Sequence, residues 1–469
     1  MTFLDGPALA AVRPSARQLA WQRLEFYGFL HFGMNTMTNR EWGEGHDDPA
    51  LFDPAALDPD QWVRALAAAG MTGVILTAKH HDGFCLWPSD ATSYSVKASP
   101  CPRDVVGETA EAARRHGLKF GVYLSPWDRS EASYGSGTGY DDFYVAQLTE
   151  LLTRYGPIFS VWFDGANGEG PDGKRQEYDW ERYYAVIREH QPDAVISVCG
   201  PDVRWCGNEA GETRPDEWSV VPRALQDAER IASRSQQEDS AAFARLVRSD
   251  DRDLGSLSAL AGQTDLVWYP AEVNTSIRPG WFHHPAEDGA VKSADELFGN
   301  WLRAVGGNAC FLLNVPPARD GLIAPGDVAV LAGLGDRIRS FKARRLPVTA
   351  TVTSGTPGRV ATEWPDCGRT PWEPAAGDPQ PAVTLELGAA QAVVAVVIGE
   401  DVSRGQRVEH VLVTGRANGS WVPLGACNAV GHQRILTFPR IQVDAVRIRI
   451  TAARDTPLIA RAAVIGAAS

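Results

Sequence analysis

Up to about residue 345, short apolar runs alternate with stretches of helical period. The runs at 26–32, 73–77, 120–124, 160–163, 194–198, 217–220, 266–269 and 311–315 read as eight candidate strands. Asp58 caps a helix that has Pro59 at its first position and stops at Gly70; Asp104 caps another that stops at Gly117. Residues 140–155, 178–191, 294–306 and 325–343 carry helical spacing too. Strands separated by crossover helices predict an α/β fold, a (β/α)8 TIM-like barrel. The segment 200–265 is polar and short of helical pattern, so the barrel is expected to be irregular, with loops replacing helices after strands five and six. Past Arg344-Arg345-Leu346-Pro347 the period changes to two, as in Val383-Thr384-Leu385-Glu386-Leu387 and Val446-Arg447-Ile448-Arg449-Ile450. That alternation predicts an antiparallel β-sandwich. The chain therefore divides into a barrel at 1–345 and a sandwich at 346–469.

Bulk composition narrows the function. A chain of 469 residues with 44% hydrophobic and 22% charged residues reads as a soluble globular protein. A net charge of −13 argues against nucleic acid or an anionic membrane as partner. The seven cysteines are scattered, without a CxxC pair, so they signal buried thiols rather than a disulfide framework or a zinc site. Residues 1–20 carry Asp5, Arg13 and Arg17 and no apolar run, so no signal peptide is read and a cytoplasmic location is expected. Oligomeric state is not legible.

In such barrels the chemistry sits just past the C-terminal ends of the strands. That rule selects His31, the loop with Trp42 and Glu44, Lys79-His80-His81-Asp82-Gly83, Ser125-Pro126-Trp127-Asp128, Asp164, Glu209, Glu272 and Asn314. Acids, imidazoles and Trp together suit a sugar pocket, and 15 Trp supply aromatic faces for pyranose rings. Val161-Trp162-Phe163-Asp164-Gly165 delivers one acid from a rigid strand, and Glu209 on the next loop supplies a second beside Trp205. Retaining glycoside hydrolysis needs such a pair, one ionised and one protonated, about 5–5.5 Å apart. Two other chemistries compete. His31, His80, His81 and Asp164 could ligate zinc in a metal-dependent barrel hydrolase, but regular strand geometry sends the adjacent His80 and His81 to opposite faces. A non-catalytic carbohydrate-binding protein would need no paired acids. In the sandwich, Trp364, Trp372 and Trp421 form no evident platform in sequence.

Several motifs resemble glycoside hydrolase family 29, the α-L-fucosidases. They are Phe29-Leu30-His31-Phe32-Gly33, His80-His81-Asp82-Gly83-Phe84, Tyr123-Leu124-Ser125-Pro126-Trp127 and Val161-Trp162-Phe163-Asp164-Gly165. Trp42-Gly43-Glu44-Gly45, the stretch 204–211, Tyr269-Pro270-Ala271-Glu272, Ser276-Ile277-Arg278-Pro279-Gly280-Trp281 and Leu312-Leu313-Asn314-Val315-Pro316-Pro317 look like the subgroup favouring α-1,3/1,4-linked fucose. The resemblance implies a retaining exo-α-L-fucosidase that acts on fucosylated oligosaccharides without metal or organic cofactor. It implies Asp164 as nucleophile and Glu209 as acid/base. His31, His80, His81, Trp162, Tyr123, Trp42, Glu44 and Trp127 would hold the sugar, and Glu272, Arg278 and Trp281 would shape the leaving-group side. The C-terminal part is similar to a discoidin-like sandwich, with carbohydrate binding as one expected role. Gly306-Gly307-Asn308 departs from the family's Gly-Arg-Asn.

Overall fold

The structure, a computed structural model, describes residues 6–227, 252–355 and 370–468; Trp364 and Cys367 lie outside the described residues. Ten strands belong to the N-terminal part: β1 Phe26–Leu30, β2 Gly73–Lys79, β3 Lys119–Leu124, β4 Ser160–Phe163, β5 Val195–Val198, β6 Arg204–Trp205, β7 Val220–Pro222, β8 Leu266–Trp268, β9 Ala271–Ser276 and β10 Cys310–Asn314. Eight of them form one parallel sheet in the order β5-β4-β3-β2-β1-β10-β9-β6. A single parallel bridge between Ser197 and Val203 brings β5 against the start of β6 and nearly closes the barrel. Every residue of β1, β2 and β4 is buried, which is why these strands read as mostly apolar runs, with Thr77 and Lys79 of β2 and Ser160 of β4 as the polar exceptions.

The helices cover the outside. Asp58 accepts hydrogen bonds from the amides of Asp60 and Gln61 to start the helix Pro59–Ala68, and Gly70 at φ 85° turns the chain into β2. Val105–Arg115, Thr138–Arg154, Trp180–His190, Ala294–Val305 and Pro325–Ala343 follow, close to the expected ranges. Among the described residues no α-helix lies between His190 and Ala294; residues 228–251 of the expected helix-poor stretch 200–265 lie outside the described residues.

The expected sixth and seventh strands need correction. The runs at 217–220 and 266–269 contribute β7 and β8, which pair antiparallel with each other outside the barrel. The barrel positions go instead to β6 and β9. Both are polar and are secured by specific hydrogen bonds: Trp205 Nε1 donates to Asn274 Oδ1 at 3.1 Å, and Arg204 Nη2 donates to Glu217 Oε2 at 2.8 Å. A strand that lines a polar pocket carries no apolar run to reveal it.

The C-terminal part is antiparallel: β11 Thr349–Val352, β12 Ala382–Glu400, β13 Val408–Ala417, β14 Ser420–Cys427, β15 Arg434–Ala453 and β16 Ile459–Gly466. The sheet runs β11-β12-β15-β13-β14, with β16 on the far half of β12. Bulges near Glu386 and Val393 let the long β12 serve both layers. Val446, Ile448 and Ile450 enter the sandwich core with Val411 and Val413. Ala395, Val397, Ile435, Ala463 and Ile465 join the barrel's apolar cluster instead, so the two parts share a packed interface. Backbone hydrogen bonds cross it, from Ile435 N to Gly306 O and from Leu346 N to Val464 O, both 2.9 Å.

Gly307 belongs to this junction. A Cβ there would come within 2.3 Å of Arg303 O, so the local backbone itself favours glycine. Of the cysteines, Cys85, Cys199, Cys206, Cys310 and Cys427 are buried free thiols and Cys101 is half-buried. Among the described residues no helix is long and apolar enough to cross a membrane.

Candidate active site

A cleft of about 620 Å³ opens at the C-terminal ends of the barrel strands, and among the described residues none of the sandwich lines it. Asp164 and Glu209 both face into it. Asp164 follows β4 directly. Its Oδ1 accepts from the amide of Ala166 at 2.8 Å and its Oδ2 from the Tyr123 hydroxyl at 2.9 Å, so strand and neighbours fix the carboxylate while part of it stays open. Glu209 comes from the loop after β6 and accepts from Trp281 Nε1 at 3.2 Å. Burial, reinforced by the charge of Asp164, pushes its pKa up to about 8, against the smaller opposing pull of the Trp281 hydrogen bond. Two carboxyl groups of one cleft thus differ in environment: one is anchored by two donors, the other is pushed upward by burial.

Val198 ends β5 at φ 68° and lines the same cleft. A β-branched residue in the left-handed region costs about 1–3 kcal/mol. The strain turns the chain sharply enough for Val198 N to donate to Val203 O at 3.1 Å, which sets β6 beside β5.

Three neutral imidazoles line the floor. Burial holds His31 down to about 3 and His81 down to about 4, and keeps His80 well below its ordinary value. Their hydrogen-bond partners assign the tautomers. Asn314 Nδ2 donates to Ser276 Oγ and to the Trp281 carbonyl, so Asn314 Oδ1 accepts from His31 Nδ1–H at 2.8 Å and His31 Nε2 keeps a lone pair. Asn35 Nδ2 donates to the Glu41 carbonyl and also to His80 Nδ1 at 3.1 Å, which places the His80 proton on Nε2. The Ser125 hydroxyl donates to the Trp127 carbonyl and accepts from His81 Nδ1–H at 2.7 Å, leaving His81 Nε2 as an acceptor 3.9 Å from Asp164 Oδ2. The floor therefore offers both acceptors and a donor, a combination suited to sugar hydroxyls.

The expectation that His80 and His81 point to opposite faces is corrected. An irregularity between Thr77 and Lys79 breaks the pairing of β2 with β3, and both histidines lie beyond the strand, with ring centroids 4.0 Å apart. Possible ligand atoms of His80, His81 and Asp164 lie within 4.8 Å of one another. The set nonetheless suits a metal poorly, because His80 has Nδ1 engaged by Asn35 and a proton on Nε2.

Trp42, Trp162 and Trp281 also line the cleft. Tyr123 and Trp127 stand one layer behind it: Tyr123 donates to Asp164, and Trp127 packs on His81 at 4.8 Å and on Trp42 at 5.2 Å. Three expected site residues are elsewhere. Glu44 points outward and pairs with Arg40 and His46, since its loop turns at Gly45. Glu272 is fully buried beneath the cleft, where it accepts from Trp162 Nε1 at 2.8 Å and from the Tyr27 hydroxyl; burial raises it to about 7. Arg278 forms a buried fork on Asp327 at 2.8 and 2.9 Å, with Asp288 as a further partner. This pair ties the loop after β9 to the first turn of Pro325–Ala343. Arg278→Ala is expected to destabilise the fold by about 3–5 kcal/mol by leaving Asp327 buried and unpaired, which urea denaturation would measure.

Sequence reasoning missed Glu41, which lines the cleft and accepts from the amides of Trp281 at 2.9 Å and Phe282 at 3.2 Å and pairs with His284. It thereby holds Trp281 against Glu209. Asn274 was missed too, as a member of an unrecognised strand, whereas Trp205, read as the neighbour of Glu209, does line the cleft. Glu41 sits beside Trp42, so the Trp-bearing loop was itself the available signal.

The comparisons with known proteins agree with this geometry. A family model described as alpha-L-fucosidase matches residues 32–341. Alpha-L-fucosidase 1 of Arabidopsis thaliana is 39% identical over 95% of this chain and 86% of its own length. A solved Bacteroides ovatus structure, provisionally named an alpha-L-fucosidase, is 41% identical with a TM-score of 0.85, covering 99% of this chain and 76% of that one. A Ruminococcus gnavus GH29 fucosidase in complex with fucose is 27% identical with a TM-score of 0.84, covering 98% of this chain and 96% of the other.

Proposed function

The chain belongs to the α-L-fucosidase family and is a glycoside hydrolase, and from that premise we propose a retaining exo-α-L-fucosidase that releases L-fucose from α-1,3/1,4-fucosylated oligosaccharides. The observation that carries the mechanism is the contrast between the two acids of the cleft. Asp164, held by Tyr123 and the Ala166 amide, attacks the anomeric carbon as a carboxylate. Glu209, protonated up to about pH 8, gives its proton to the departing glycosidic oxygen. A covalent fucosyl-enzyme forms. Water then enters, Glu209 removes its proton, and fucose leaves with its original configuration.

The neutral imidazoles serve orientation. His31 and His81 accept from hydroxyls and His80 donates, while Trp42, Trp162 and Trp281 wall the ring. The closed floor supports an exo mode, with one terminal sugar admitted. The linkage preference rests on the motifs of the 42–45, 204–211, 269–272, 276–281 and 312–317 segments. A non-catalytic binder would have no use for two acids held in such different environments in one cleft.

A hydrolysis panel of 2-, 3- and 4-linked fucosides, with proton NMR of the first anomer released, tests the proposal. α-L-Fucose is expected first, from the 3- and 4-linked substrates. Initial release of the β-anomer would overturn retention, and preference for the 2-linked substrate would overturn the linkage.

A further inference from the structure

The outward face of the sandwich carries a groove of about 1210 Å³ that the fucosidase mechanism does not use. Strand register builds it. Thr351 of β11 pairs with Thr384 of β12, Thr384 with Arg447 of β15, and Arg447 with Thr414 of β13, so one transverse row reads Thr-Thr-Arg-Thr. Arg449 lies two residues along on the same face, because Val446, Ile448 and Ile450 occupy the core face. Trp421 of β14 closes the side of the groove. Arg447 is held in place: its guanidinium lies 4.0 Å from the Trp421 ring centroid, and its Nε donates to Thr384 Oγ1 at 3.2 Å.

The neighbouring acids are engaged elsewhere. Glu386 and Asp444 both pair with Arg416, and Asp378 accepts from the hydroxyls of Thr353 and Ser354. Among the described residues no carboxylate pairs with Arg447 or Arg449. Two cations without a carboxylate partner among the described residues therefore share one groove on a chain whose net charge is −13.

We propose that this groove binds a carboxylate-bearing oligosaccharide, such as a stretch of uronic acid residues. Arg447 and Arg449 would take carboxylates through guanidinium forks, and the threonine row would take ring hydroxyls. The choice of a glycan as occupant rests on the fucosidase reading; the choice of an acidic one rests on the arginines. The site would hold the enzyme on acidic polymer carrying or adjoining its fucosylated substrate.

The test is affinity electrophoresis of the full-length protein in gels containing polygalacturonate, dextran or dextran sulfate. The wild type is expected to be retarded by polygalacturonate and not by dextran. Arg447→Gln/Arg449→Gln is expected to lose at least about tenfold in affinity while keeping its melting temperature and its activity on an aryl fucoside. No retardation of the wild type, equal retardation of the variant, equal binding to dextran, or equal and equally arginine-dependent binding to dextran sulfate would each overturn the proposal. Because the gel requires no turnover, a failure of the fucosidase reading would show only in the aryl fucoside assay.

Discussion

Asp164→Ala is expected to lose on the order of 10⁴-fold or more of kcat on an aryl α-L-fucoside, with the fold intact. The carboxylate does not sustain the barrel. It lies at the end of β4 with part of its surface open, and its two partners, the Ala166 amide and the Tyr123 hydroxyl, can turn to water when it is removed. Its loss takes away the atom that attacks C1, and among the described residues neither of the other two carboxyl groups lining the cleft replaces it. Glu41 is occupied by two backbone amides and His284, and Glu209 is protonated. Added azide fits the vacated volume and attacks from the same side. It should restore measurable turnover and yield the inverted fucosyl azide. Full activity in the variant would remove Asp164 from the mechanism, and a retained azide product would assign it to proton transfer instead. Tyr123→Phe should cost far less, since it removes one of two anchors and leaves the nucleophile.

The strand that carries Asp164 was legible because it is short, wholly buried and ended by glycine. The same physics explains β1, β2, β3 and β10. It also explains the errors. β6 has two residues, an arginine and a tryptophan, and β9 runs Ala-Glu-Val-Asn-Thr-Ser; both face a polar pocket, so their burial does not appear as hydrophobicity. The apolar runs at 217–220 and 266–269 look more like strands because they are packed against each other and the sandwich, away from solvent and sugar. Side-chain direction was harder still. Glu41 and Glu44 lie three residues apart on one loop, and only the fold shows that Gly45 turns the second outward while the first is drawn in by the Trp281 and Phe282 amides. The doubled histidine misled for a related reason: alternation of faces applies within a regular strand, and β2 loses its regularity just before His80.

Glu209→Ala is expected to divide substrates by leaving group. Fucosylated oligosaccharides need a proton on the departing oxygen, so their kcat/KM should fall by about 10²–10⁴. An aryl fucoside with a good leaving group departs without that proton, so its kcat/KM should change little. Its kcat and KM should both drop, because the fucosyl-enzyme now waits for water without a base. Azide should speed that step and give the retained fucosyl azide, the opposite stereochemistry to the Asp164 variant. Equal losses on both substrate classes would place the acid elsewhere. The pH profile supplies an independent readout. With Glu209 raised to about 8, kcat/KM of the wild type on an oligosaccharide should fall as pH rises through that value, and Glu209→Gln should abolish this basic limb. Stability should follow the same proton. A carboxyl whose pKa is higher folded than unfolded binds more protons in the native state between the two values, so wild-type stability declines across that window as pH rises. Glu209→Gln carries no such proton, and its margin over the wild type should widen toward pH 8. A variant that is less active on natural substrate yet more stable at high pH would show that Glu209 is kept protonated at a cost to the fold, by the same burial that makes it an acid.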